Sequence, residues 1–138
     1  MKPVLVDASF LVAVYNKSDR YHARCMRALA AVEEPMATCE AVIAESLHML
    51  RFSHGAAESI LASIEQGGVE IPFKLAESSS NVRAIMKKYE DIPADFADAC
   101  LIRMADELDT GDILTLDSDF RHYRWRRNRP FRMLIPLD

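Results

Sequence analysis

The chain has 138 residues, the size of one ordinary domain, and at that length roughly two thirds of the unfolded surface can be buried. Half of the residues are hydrophobic and 28% are charged, with a formal net charge of −4. That balance excludes disorder, and no apolar run approaches the roughly 20 residues of a membrane span.

The N-terminus reaches an acid at Asp7, too early for a signal peptide. Cys25, Cys39 and Cys100 form an odd set without Cys-x-x-Cys spacing. Reduced thiols in a cytoplasmic protein are therefore expected, not a disulfide framework or structural zinc.

In chain order, Val4-Leu5-Val6 reads as a buried strand, and Ala8 to Tyr15 as a helix with Phe10, Leu11 and Val14 on one face. Asn16 to Asp19 is a turn, and His22 to Val32 a second helix. Pro35 to Cys39 is a short strand. Ala41 to Arg51 is a helix with Ile43, Leu47 and Leu50 at i, i+4 and i+7. Ala56 to Gln66 is another, stopped by Gly67-Gly68. Val69 to Phe73 is a strand candidate, and Leu75 to Tyr89 a helix through Val82, Ile85 and Met86. Pro93 and Asp95 open a helix over Phe96 to Leu108, with Gly111 just past its end. Ile113 to Leu116 and Met133 to Ile135 are the last strands. Strands alternating with helices imply a mainly parallel sheet with helices on both faces, an α/β class and a single domain over residues 1–138.

The acids carry the chemistry. Asp7 ends the first strand and Asp117 follows Ile113 to Leu116. Ligands of open parallel sheets bind at the carboxyl ends of strands, so these two are candidates for one site. Either could instead be a helix cap or turn residue, for which aspartate is also favoured. Asp98 shares its i, i+3, i+4, i+7 stripe with Leu101, Ile102 and Ala105, where an uncompensated carboxylate is costly. Its position near a helix start, behind an Asp95 cap, also gives it a favourable dipole. Glu45 has Ala41, Val42, His48 and Met49 as helical neighbours, three of them apolar, so it is not expected on a fully solvated face. Glu40 compensates the dipole at that helix start. Converging acids repel one another unless a cation joins them. Oxygen-only donors favour Mg2+ or Mn2+, and such ions support in-line hydrolysis of a phosphodiester.

Competing motifs are missing. Glu45-Ser46-Leu47-His48 has the Glu-x-x-His spacing of di-iron bundles but no second copy. No HExxH, GxSxG, P-loop or GxGxxG is present, and His22, His48, His54 and His122 show no ligand spacing.

The ordered set Val6-Asp7-Ala8-Ser9, Ala44-Glu45, Asp95-Phe96-Ala97-Asp98-Ala99 and Thr115-Leu116-Asp117-Ser118-Asp119-Phe120 resembles the PIN domain family. It is most similar to the VapC-type ribonuclease toxins of toxin–antitoxin pairs, and the resemblance spans essentially the whole chain. It implies a three-layer α/β/α fold around a mainly parallel sheet of about four or five strands. It also implies a Mg2+- or Mn2+-dependent endoribonuclease whose catalytic and metal-binding acids are Asp7, Glu45, Asp98 and Asp117, with Asp7 and Asp98 the principal ligands. Ser9 would hydrogen-bond an acid or a metal-bound water, Asp95 would cap its helix, and Asp119 would assist from outside. Homodimers and a small antitoxin with a basic side chain entering the acidic site are further implications. Residues 16–32 match no signature.

Residues 121–132 hold six basic residues and no acid, so the rest of the chain, with 11 basic and 21 acidic residues, is a −10 body. Arg121, Arg124, Arg126 and Arg127, interleaved with Tyr123, Trp125 and Phe131, are expected to grip phosphates while Trp125 stacks on bases. A solvated loop is the plainer reading of the same segment. The alternative to catalysis is a PIN-like module that binds RNA or protein without cutting, or one whose acids dock a basic peptide.

Overall fold

The computed structural model describes residues 1–92 and 94–137; the expected helix-opening role of Pro93 therefore lies outside the described residues. Strand β1, Val4–Val6, has all three side chains buried, because it runs through the middle of the sheet with neighbours on either side. It pairs in parallel with β2 (Met36–Ala37) through Val4 opposite Met36 and Leu5 opposite Ala37. On its other edge it pairs in parallel with β4 (Asp112–Leu114), Leu5 opposite Ile113 and Val6 opposite Leu114. Strand β3 (Val69–Glu70) extends one side and β7 (Arg132–Met133) the other. Among the described residues this gives a five-stranded, all-parallel sheet in the order β3-β2-β1-β4-β7. The chain builds outward from β1 to β3, then returns across β1 to β4. The order thus reverses between β1 and β4, where an open sheet forms its ligand crevice.

Six helices make the crossovers among the described residues: α1 (Ala8–Tyr15), α2 (His22–Ala31), α3 (Glu40–Met49), α4 (Ala56–Glu65), α5 (Leu75–Lys88) and α6 (Phe96–Leu108). Helix α1 packs on α2 and α3, while α6 packs on α3, α5 and β1. Helix α6 buries eight side chains, which is why its apolar stripe is so plain in the sequence. No helix of the described residues is long and apolar enough to cross a membrane.

Three boundaries depart from the sequence expectation. The strands are shorter than their apolar runs because side chains at their carboxyl ends take over the backbone's bonding. Thr38 Oγ1 donates to the Val6 carbonyl at 2.7 Å, and Thr115 Oγ1 accepts from the Asp117 N–H at 3.0 Å. The helix stop expected near Gly111 falls instead at Asp109, whose φ of 55° takes the left-handed conformation. Gly111 has another reason to be glycine: a β-carbon there would sit 2.1 Å from Trp125 Nε1. Lastly, the arginine-rich segment is an antiparallel hairpin of β5 (Arg124–Trp125) and β6 (Arg129–Pro130). Arg126 and Arg127 turn its tip with φ of 41° and 74°.

That hairpin corrects the expectation for its aromatic residues. Tyr123 is fully buried, and Trp125 and Phe131 are each 8% exposed. Phe120 meets Tyr123 and Phe131 edge-on at 5.0 and 5.3 Å, and Tyr89 meets Tyr123 at 5.1 Å. Trp125 donates its indole N–H to the Pro130 carbonyl at 3.2 Å. Its ring closes the core over Gly111 and offers no face to a base.

Candidate active site

Asp7 follows β1 directly and caps α1, accepting from the Ala8 N–H at 2.8 Å through Oδ1. Its other oxygen is held from the neighbouring strand: Thr115 Oγ1 donates to Oδ2 at 2.7 Å and Ser9 Oγ at 3.1 Å. Ser9 Oγ in turn accepts from the Leu116 N–H at 2.9 Å. The ends of β1 and β4 are therefore tied through one carboxylate. Asp7 is 5% exposed, and burial pushes its pKa up despite the three donors, with Asp117 adding repulsion.

Asp98 arrives from α6. Asp95 caps that helix, its Oδ1 accepting the Asp98 N–H at 2.8 Å. Asp98 itself is 6% exposed, and Tyr123 Oη donates to its Oδ2 at 3.1 Å. Burial, then the charges of Asp95, Asp7 and Asp117, push its pKa up to about 8, the tyrosine bond offsetting only part. Asp117 caps the 3-10 turn Ser118–Arg121, accepting from the Asp119 N–H at 2.9 Å. Its pKa is raised by partial burial and by Asp119 and Asp95.

Glu45 differs from its sequence expectation: it is exposed, because His48 and Met49, two of its helical neighbours, are exposed as well. It still belongs to the same field. Partial desolvation and the charges of Asp95, Asp7 and Asp117 all raise its pKa. Four acids from β1, α3, α6 and the end of β4 thus repel one another across one crevice. Among the described residues no Lys, Arg or His is ion-paired with any of them.

The donor set suits a hard dication: it consists of carboxylate oxygens under uncompensated negative charge. As they stand, no three His, Cys, Asp or Glu side chains among the described residues are grouped closely enough to enclose an ion. Asp7 and Asp98 would be the fixed points, with Glu45 on its exposed helix face having the greatest freedom to close in.

Thr115 and Tyr123 were not singled out in the sequence as residues of this site. Thr115 reads as a strand residue and Tyr123 as part of an arginine stripe. The available signal was a hydroxyl inside an otherwise apolar strand end, and an aromatic placed to reach α6.

The arginines divide by position. Arg121 lies on the turn after Asp117 and is exposed. Arg124 is half-buried and spends its guanidinium on the Arg121 and Tyr123 carbonyls, both at 2.8 Å. Arg126 pairs with Asp109 at 2.8 Å, and its backbone N–H donates to Asp106 at 2.6 Å. Asp109 follows the last turn of α6, about 16 Å along the helix from Asp98. Arg126, with Arg127 beside it, therefore sits at the opposite end of the sheet from the acids, which corrects the expectation that the whole stripe borders them.

Comparison with family models matches the PIN domain over residues 4–126, a range that includes every acid described above. A comparison with curated proteins gives no match. Among solved structures, VapC20 of Mycobacterium tuberculosis, described as a sarcin-ricin loop cleaving toxin, is similar with a TM-score of 0.81 at 22% identity. The match covers 92% of this chain and 99% of that one, and at such identity the likeness is one of fold. Sequence order, sheet order and the family match over most of the chain agree: the chain belongs to the PIN domain family.

Proposed function

We propose that the protein is a metal-dependent endoribonuclease that hydrolyses RNA phosphodiesters with Mg2+ or Mn2+ bound by Asp7, Asp98, Glu45 and Asp117. We further propose that it acts in the cytoplasm as the toxin of a toxin–antitoxin pair. The observation that carries this reading is the set of mutually repelling carboxylates at the β1/β4 reversal, with no cation paired to any of them among the described residues.

A bound dication supplies the positive charge that lets these acids ionise together, and Lewis-acid activation of water and phosphate. The chain's own residues supply position. Thr115, Ser9 and the Ala8 N–H fix both oxygens of Asp7. Tyr123 orients Asp98 while leaving Oδ1 uncommitted to it. Asp95 serves as the cap that starts α6 in the right register, and Asp119 stands behind Asp117 as a further negative charge. Arg121, on the turn following Asp117, is placed to meet a phosphate of the RNA.

A small antitoxin with a basic side chain entering the crevice, and a homodimeric assembly, complete the proposal. The same uncompensated field that holds a dication attracts such a side chain.

The test is cleavage of a structured RNA by the purified chain with Mg2+ or Mn2+, with EDTA, and with Asp7→Asn. Cleavage is expected with metal only, and the variant is expected to lose about a hundredfold or more while keeping its circular dichroism spectrum. RNA binding without cleavage under every metal condition would assign the chain to the non-catalytic alternative.

A further inference from the structure

Outside the acidic crevice, the densest unassigned chemistry is a pair of thiols. Cys39 precedes the first residue of α3, and Cys100 lies in α6. Each is 1% exposed, and the Cys100 thiol donates a hydrogen bond to the Cys39 sulfur. Both line a cavity of about 160 Å3 together with Phe73, Leu75 and Phe96, a volume that holds several waters. Leu75 is 43% exposed and Phe96 42%, so the lining includes side chains with room to swing aside. A single buried cysteine behaves as a small hydrophobe. Two sulfurs in contact, on elements far apart in sequence and opening on one cavity, are arranged for a bond to each other.

We propose that Cys39 and Cys100 are a modification site, forming an intramolecular disulfide when the protein meets hydrogen peroxide. The Cys39 sulfur attacks one peroxide oxygen, the O–O bond breaks, and the departing hydroxide takes the proton that Cys39 gave up. Cys39 is then a sulfenic acid. The Cys100 sulfur attacks it, the S–S bond forms, the S–O bond breaks, and water leaves with the Cys100 proton. Two thiols and one peroxide become one disulfide and two waters, sulfur being oxidised and the peroxide oxygens reduced. Cys39 suits the first step. Its thiolate is favoured by the Cys100 donor and by the Val42 and Ala41 N–H groups at the start of α3, which together outweigh burial and hold its pKa below the ordinary thiol value. The bond would staple α3, which carries Glu45, to α6, which carries Asp98.

Cys25 is the internal control: it is fully buried in α2, and burial pushes its thiol up to about 11. The experiment treats the native protein with hydrogen peroxide, quenches it with a thiol-alkylating reagent and measures intact mass and tryptic peptides. Cleavage after Arg24, Arg27, Arg51, Lys88 and Arg103 leaves the three cysteines on separate peptides. Wild type and Cys25→Ser are expected to lose the mass of two hydrogens, to yield a linked Cys39–Cys100 peptide and to recover both thiols with dithiothreitol. Cys39→Ala and Cys100→Ala are expected to form no internal bond. Retention of all three thiols, a bond to Cys25, a bond between two chains, or sulfinic acid at Cys39 without the linked peptide would each overturn the proposal. None of these readouts depends on nuclease activity.

Discussion

Replacing Asp98 with Asn is expected to stabilise the metal-free protein, and more so as pH rises. The wild-type carboxyl titrates near 3.8 when unfolded and at about 8 when folded. Between those values the native state holds a proton that the unfolded state has released, so stability falls with rising pH and is fully spared only below the lower value. At pH 7 the gap of roughly 3 units corresponds to about 4 kcal/mol at 1.36 kcal/mol per unit. Relaxation and solvent screening reduce this to about 1–3 kcal/mol. Asparagine keeps an acceptor for Tyr123 Oη and carries no charge, so the variant lacks this slope. For a chain of this length the difference is roughly 3–10 °C in thermal midpoint. The assay is thermal unfolding by circular dichroism in EDTA from pH 4 to 8, on both proteins. The midpoint gap should be small near pH 4, widen toward pH 8, and close when Mg2+ or Mn2+ binds the wild type. A gap that is constant with pH, or a variant less stable throughout, would show that Asp98 does not sit in an uncompensated negative field.

Thr115→Val removes the 2.7 Å bond to Asp7 while preserving shape, and should cost about 10–100-fold in metal affinity or cleavage, read by metal titration of activity. Gly111→Ala places a methyl in the Trp125 indole and should destabilise by about 1–3 kcal/mol in urea unfolding; wild-type stability would mean the hairpin does not pack there. Arg121→Ala should weaken RNA binding and flatten its salt dependence, whereas the Arg126→Ala, Arg127→Ala pair should change it little. A larger effect from the pair would bring the far end of the molecule into the RNA path.

The parts of this fold that were legible from sequence are those where one physical signal dominates. Val4-Leu5-Val6 is buried on both faces, so its apolar run and the acid after it stand out. Helix α6 buries one long stripe, and the acid within that stripe marks itself as anomalous. Where side chains do two jobs the signal is lost. Thr115 ends a strand and holds Asp7, so its polarity reads only as a weakened strand. The alternation of buried Tyr123 and Trp125 with exposed arginines is a strand pattern, but the density of charge masks it. Glu45 was rightly grouped with the other acids and wrongly given a semi-apolar face, because neighbours that are apolar by type can still be exposed.

The charge distribution links the hairpin to the site after all. A protein of net −4 could spread its cations evenly and soften every acid. Here the ends of the sheet are treated differently. Away from the crevice, Lys2 and Arg126 converge on Asp109 and hold its pKa low, and Arg132 does the same for Asp112 through paired bonds of 2.9 and 2.6 Å. At the crevice every resolved carboxylate shift is upward. The arginine-rich segment thus spends much of its charge on acids that need no ligand, while its one inward-reaching phenol, Tyr123, braces Asp98. Had those arginines lain over the crevice, they would have neutralised the field that a dication is needed to satisfy. Placing the cations at the far end leaves the acids dependent on an external positive charge, which is the condition a metal-dependent site requires.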